Sequence, residues 1–208
     1  MMKIGVDEAG KGDYFGYLVI AGVVVDDKKE PVLKKMGVMD SKRLSDMRVK
    51  EIAKQIKKTC QYEIIKISPS KYNTLHAKMK NLNKMLAWGH AKVISNLSEK
   101  NTCDIAISDK FADEKFLKEA LKKLNVKIKV LQKINGEYNT AVAAASILAR
   151  DEFLKTLRSL GRMVGMILPK GAADVEKAAK ELVKRYKPEI LNEVAKVHFK
   201  TTRKIIGQ

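Results

Sequence analysis

The chain opens on two nearly continuous apolar runs, Lys3 to Asp7 and Tyr17 to Val25, both rich in β-branched residues and separated by Ala9-Gly10-Lys11-Gly12-Asp13. Runs of that length bounded by glycine predict a strand-turn-strand unit. After Asp26 the pattern turns polar until Ser45-Asp46, where a cap residue precedes Val49, Ile52, Ala53 and Ile56 at the helical period. Tyr62 to Ile67 alternates as a third strand. Ser68-Pro69 then supplies a cap and an N1 proline for a helical stretch from Lys71 to Asn96, which Asn81 to Asn83 is placed to break in two. Asp104 to Ser108 predicts a strand, Ala112 to Leu124 an amphipathic helix, and Val126 to Leu131 a further strand. From Asn139 onward the pattern predicts helices alone, beginning with the small-residue segment Ala141 to Ser146 and ending in basic segments around Lys184 to Lys187 and Lys200 to Lys204.

This order, β-rich first and then alternating, predicts an α/β fold: a mixed sheet flanked by helices, with a helical C-terminal part. Repeats, low-complexity tracts and Gly/Ser linkers are missing, so residues 1–208 are expected to form one domain. Lys and Arg number 42 against 24 Asp and Glu, a formal charge of +18 spread along the chain. A cationic surface gains affinity by releasing counterions from nucleic-acid phosphates, so the balance points to a polyanionic partner without naming a sequence.

Cys60 and Cys103 lack metal-ligand or redox spacing and sit among apolar neighbours, as small hydrophobes do. No cationic leader precedes the first strand, and no apolar stretch reaches spanning length, so the expectation is a cytoplasmic monomer without membrane contact.

Asp7 and Glu8 are adjacent acids at the end of an apolar strand, where ionised groups need a compensating cation or hydrogen bonds. Asp109 repeats the arrangement after Ile105-Ala106-Ile107. Two strands ending in acids make a divalent-metal site plausible, hard oxygen donors suit Mg2+ or Mn2+, and the lack of Cys/His clusters argues against zinc. Gly10 and Gly12 let backbone approach a ligand closely, and Lys11 offers a phosphate partner. Alone, a GxG pair is usually just a turn, and it is neither a dinucleotide fingerprint nor a Walker loop.

The segment Gly5 to Gly16, GVDEAGKGDYFG, resembles the signature of type 2 ribonucleases H, and its Asp-Tyr-Phe-Gly ending is similar to the ribonuclease HIII branch. Asp40-Ser41-Lys42 resembles the next motif of that family. The likeness continues through Asn81-Leu82-Asn83, Ala87-Trp88 and His90, then Ser108 to Phe111, Ala143 to Arg150, Leu168 to Ala172 and His198-Phe199-Lys200.

The resemblance implies a ribonuclease H-like fold and divalent-metal hydrolysis of the RNA strand of RNA/DNA hybrids, leaving 5′-phosphate and 3′-hydroxyl ends. It matches Asp7, Glu8 and Asp109 to three metal-binding acids. It assigns Gly10, Lys11 and Gly12 to contacts with 2′-hydroxyl and phosphate groups, and Ser41 and Lys42 to a neighbouring phosphate. The family's fourth acid lies ten residues before the serine matching Ser146, a position held here by Gly136. Glu137, one residue later, is the expected fourth metal ligand and catalytic acid, with Asp113 and Asp151 next in line.

Two departures stand out: Tyr17 replaces a proline of the family, and an N-terminal substrate-binding domain common among ribonuclease HIII proteins is not seen. The competing functions are ribonuclease HII-like cleavage at single ribonucleotides embedded in DNA, and hybrid binding without catalysis. Trp88, among Leu82, Met85, Leu86 and Ile94, is expected to anchor the core, not to stack on bases. His198 is expected to be a packed or surface residue without a catalytic role.

Overall fold

The computed structural model describes residues 1–39, 41–173 and 175–207, with only the backbone of Glu137. Asp40 therefore lies outside the described residues. Within them, β1 (Lys3–Ala9), β2 (Leu18–Val25), β3 (Tyr62–Ile67), β4 (Ile105–Asp109) and β5 (Lys129–Lys133) form one sheet in the order β3-β2-β1-β4-β5. The first three are antiparallel neighbours and β1, β4 and β5 run parallel, which gives the mixed sheet that the pattern predicts.

Helices cover both faces. On one, α2 (Asp46–Thr59) and α6 (Thr140–Met163) pack over Val19, Ala21 and Val23; on the other, α3 (Pro69–Met79), α4 (Leu82–Lys100) and α5 (Glu114–Lys123) pack over Ile4, Val6, Leu18 and Ile20. The alternation within β1 and β2 thus feeds two apolar clusters. The early helix α1 (Lys29–Lys35) and the late ones α7 (Glu176–Tyr186), α8 (Ile190–Val194) and α9 (Lys200–Ile206) complete the order. None of the described helices is long and apolar enough to cross a membrane.

The small residues of α6 set its height above the sheet. A Cβ placed on Gly5 would stand 2.0 Å from the Ala141 carbonyl carbon, so glycine in β1 and alanine in α6 bring helix and strand to backbone contact. That closeness carries Ser146 and Arg150 to the end of β1 where the acids sit.

Several sequence expectations need correction. Helix α1 forms in a segment that reads only as polar, because Leu33 is the side chain it buries and one anchor makes no period. β5 is shifted from Val126–Leu131 to Lys129–Lys133, since the Val126 N–H bonds back to the Leu121 carbonyl and prolongs the end of α5. α5 itself begins at Glu114, capped by Asp113. The break at Asn81 is as expected: Lys80 adopts a left-handed φ of 48° and the Asn81 side chain caps α4.

Trp88 does not anchor the core; it is 39% exposed. The buried stripe of α4 runs through Met85, Gly89, His90, Val93 and Leu97, and a Cβ on Gly89 would already stand 2.8 Å from Ile20. The helix lies too near the sheet for an indole to fit beneath it. Cys60 is buried, whereas Cys103 is only partly so.

Candidate active site

Asp7 and Glu8 are inside β1, not past its end, and their backbones pair with Ala21 and Ile20 of β2. On the other side β4 runs parallel to β1 with Val6 beside Ser108, so the next step of both strands brings Asp7 next to Asp109. Strand alternation sends Asp7 toward the α6 face and Glu8 toward the α4 face. All three acids nevertheless line one cleft of about 590 Å3, together with Gly10, Lys11, Gly12, Ser41 and Lys42. The residues expected at the site, Glu137 apart, therefore line one cleft.

The environments of the acids differ. Burial, the Glu8 charge and the Asp109 charge push the Asp7 carboxyl well above the usual carboxylate range, against hydrogen bonds from the Glu8 N–H and Ser146. Glu8 is also buried, which raises its pKa, but His90 and the charges of Lys11 and Lys42 hold it below the ordinary value. His90 is fully buried, with Nε2 3.0 Å from Glu8 Oε2 and Nδ1 2.9 Å from Ser108 Oγ. Asp109 Oδ1 accepts the Gly136 N–H at 2.8 Å.

Three acids crowded at the ends of adjacent strands repel one another, and a hard divalent cation is the ligand that relieves such a set. Among the described residues no group of three or more acid, imidazole or thiol side chains is placed to hold a metal ion as it stands. Glu8 is drawn toward His90 and Lys11, with Lys11 Nζ 3.8 Å from its Oε1, and Asp109 is drawn toward Gly136.

Position 136 lies against Asp109. A Cβ there would lie 3.0 Å from the Asp109 Cα and 3.1 Å from its Oδ1, so a side chain at the place matched to the family's fourth acid would require Asp109 to give way by a few tenths of an ångström. Glu137 follows in the short 3-10 turn Gly136–Tyr138, and its side chain is outside the described part of the structure. Neither alternative lines the cleft. Asp113 is exposed and caps α5 through the Lys115 N–H, and Asp151 is buried on α6 in ion pairs with Lys57 and Lys155.

The glycine turn is asymmetric. Gly10 has a φ of +85°, and a Cβ on it would meet the Tyr17 carbonyl at 2.1 Å, so the fold itself demands glycine. A Cβ on Gly12 would meet no atom within 4 Å. Gly12 leaves the cleft wall open without any internal need to do so.

Ser41 begins the 3-10 turn Ser41–Arg43, and its Oγ lies 2.6 Å from Ser146 Oγ. Arg150 donates through Nη1 to the Ser41 carbonyl and through Nη2 to Asp46 Oδ1 at 2.7 Å, and Lys170 reaches Asp46 Oδ2 at 2.8 Å. His90, Ser108, Ser146, Arg150 and Lys170 thus hold the site residues, although sequence reasoning gave them no role. Their signal was membership of the ordered motifs; the contact partners are far away in the chain.

The chain resembles known proteins in sequence and in fold. A family profile described as ribonuclease HII matches residues 4–202. The chain is similar to ribonuclease HIII of Protochlamydia amoebophila, 45% identical over 206 residues that cover 99% of this chain and 68% of that protein. Ribonuclease HIII of Chlamydia felis is 44% identical over 207 residues, with 98% and 69% covered. Among solved structures, Bst-RNase HIII in complex with Mn2+ superposes with a TM-score of 0.93 at 32% identity, over 100% of this chain and 70% of that one. Aquifex aeolicus RNase H3 gives 0.78 at 31% identity, over 94% and 71%.

Proposed function

Because the chain belongs to the ribonuclease HII family, on its ribonuclease HIII branch, we propose that it hydrolyses the RNA strand of RNA/DNA hybrids at the cleft built on Asp7, Glu8 and Asp109. The observation that carries the reading is the convergence of these acids, from two parallel strands, beside a glycine turn open to ligand. Asp7, Glu8, Asp109 and Glu137 would hold Mg2+ or Mn2+, and the Mn2+ in the Bst protein supports a divalent ion. Such ions, when bound, stabilise charge developing on a phosphate and lower the pKa of an attacking water.

The chain's own residues divide the remaining work. Lys11 and the backbone of Gly10 and Gly12 approach the 2′-hydroxyl and phosphate groups of the RNA strand, since backbone tells RNA from DNA only at close range. Ser41 and Lys42 hold a phosphate next to the cut, with Arg150 and Ser146 fixing Ser41. His90 keeps Glu8 ionised and aimed. The +18 charge supplies attraction to the duplex at large.

The test is an incubation of purified protein with an end-labelled RNA/DNA hybrid, an all-RNA duplex and a DNA duplex carrying one ribonucleotide, in Mg2+ and in Mn2+. The expected result is cleavage within the RNA strand of the hybrid, with 5′-phosphate and 3′-hydroxyl products. Exclusive cutting at the single ribonucleotide would transfer the chain to the ribonuclease HII-like activity. Hybrid binding without cleavage in either metal would leave only a binding protein.

A further inference from the structure

Lys196 is fully buried, and its Nζ donates to the carbonyls of Asp13 and Gly16 at 2.8 Å each. Lysine is almost never fully buried unless paired with an acid. Among the described residues no carboxylate is paired with the ammonium: the Asp13 side chain instead accepts the Gly171 N–H at 2.6 Å, and the Tyr72 ring lies 5.7 Å from Nζ. The two acceptors belong to one turn, the continuation of Gly10-Lys11-Gly12.

The surrounding backbone points to the same function. The Lys196 N–H donates to the Tyr14 carbonyl, the Gly16 N–H to Val194, and the Tyr14 N–H to Gly171, while Phe15 bridges to Ala195. Residues 13–16 are thus laid between the segment before α9 and the segment that carries Lys170 into the cleft. Burial pulls the Lys196 pKa down to about 7, opposed by the Asp13 charge, but either protonation state has N–H groups for both carbonyls. A flip of the 13–14 or the 16–17 peptide would turn its carbonyl away from the buried amine and cost both a partner.

Accepting the assignment of the glycine turn to the RNA strand, we propose that Lys196 is a positioning residue that locks residues 13–16 and thereby sets Gly10, Lys11 and Gly12 in the pose that grips the RNA strand. The acids need no such help, because β1, β4, His90 and Gly136 hold them. The predicted loss is therefore in hybrid binding and not in the chemical step.

The experiment compares wild type with Lys196→Met, which keeps the length and loses the donors, by steady-state cleavage of an RNA/DNA hybrid and by fluorescence anisotropy with hybrid and with all-DNA duplex in EDTA. The expected outcome is a KM and a hybrid Kd raised about tenfold, as for loss of hydrogen bonds to a charged group, with kcat within about twofold and DNA affinity unmoved. S-aminoethylation of Lys196→Cys in the unfolded chain, with Cys60 and Cys103 replaced by alanine here and in the control, followed by refolding, rebuilds an ammonium at nearly the same length and should return KM to the control value. A fall in kcat at unchanged KM, equal losses on hybrid and DNA, or no rescue by aminoethylation would overturn the assignment.

Should Lys196→Met not fold, Asn73→Ala carries the test. Its amide brackets Lys196 by donating to the Ala195 carbonyl at 2.9 Å and accepting the Val197 N–H at 3.1 Å, and an unchanged hybrid Kd in this variant would overturn the proposal. Anisotropy reads binding whether or not wild type cleaves. Wild-type inactivity would count against the functional reading alone, and unchanged hybrid affinity against Lys196 alone.

Discussion

The Nε2 atom of His90 lies 3.0 Å from Glu8 Oε2, across a strand-helix boundary that separates the two residues by 82 positions in the chain. The same ring meets Ser108 Oγ through Nδ1, so its orientation is fixed from both sides, as for residues that aim the acids of a metal site. His90→Leu should lower hybrid cleavage by about 10- to 100-fold and raise the metal concentration needed for half-maximal rate, in line with other losses behind a metal ligand. Initial rates over a Mn2+ titration check this; an unshifted half-saturation point would show that Glu8 does not depend on His90.

Gly12 separates folding from binding. A methyl group there meets no protein atom and its φ is not in the left-handed region, so Gly12→Ala should leave thermal stability unchanged or raise it by about 0.4–1 kcal/mol. The same methyl group stands in the space assigned to the RNA strand, and hybrid affinity should fall at least severalfold. Melting and anisotropy measurements on one preparation decide it: stable protein with wild-type affinity would remove Gly12 from the interface.

His198 gives a pH signature remote from the acids. Its ring stacks on His76 with centroids 4.2 Å apart and on Tyr72 at 5.4 Å, and Nδ1 is buried without a partner among the described residues. Burial first, then the charges of His76 and Lys196, draws its pKa down to about 4. The unfolded chain takes up the proton near the ordinary histidine value of about 6.5. Its contribution to stability is thus full above that pH and is lost as pH falls from about 6.5 toward 4. The melting temperature of wild type should drop over this window more than that of His198→Phe, and parallel curves would contradict the assignment.

How far the sequence alone led can be judged from particular residues. The strands and the break at Asn81 were readable because period, caps and glycine act locally. The burial of Trp88 was misread because the height of α4 over the sheet is set by Gly89 against Ile20, a contact between distant segments. Asp7, Glu8, Asp109, the glycine turn, Ser41 and Lys42 were named beforehand and share one cleft. His90, Ser146, Arg150 and Lys196 were not given roles, since nothing local distinguishes a histidine on an apolar helix face, or one lysine among many, from its neighbours. The close approach of Gly136 to Asp109 likewise became visible only in three dimensions.

In the proposed function, Asp7 and Glu8 of β1 and Asp109 of β4 form the catalytic metal site. That assignment is tested most directly by the single-turnover rate of RNA/DNA hybrid cleavage by Asp7→Asn and Asp109→Asn beside wild type at saturating Mn2+. Wild type should cut the RNA strand, and each variant should be slower by about three orders of magnitude or more, since losing an anionic ligand removes most of the metal's contribution. Hybrid affinity measured without metal should persist or tighten, because removing a carboxylate then lessens repulsion of the phosphate backbone. Cleavage at the wild-type rate by either variant would contradict the account.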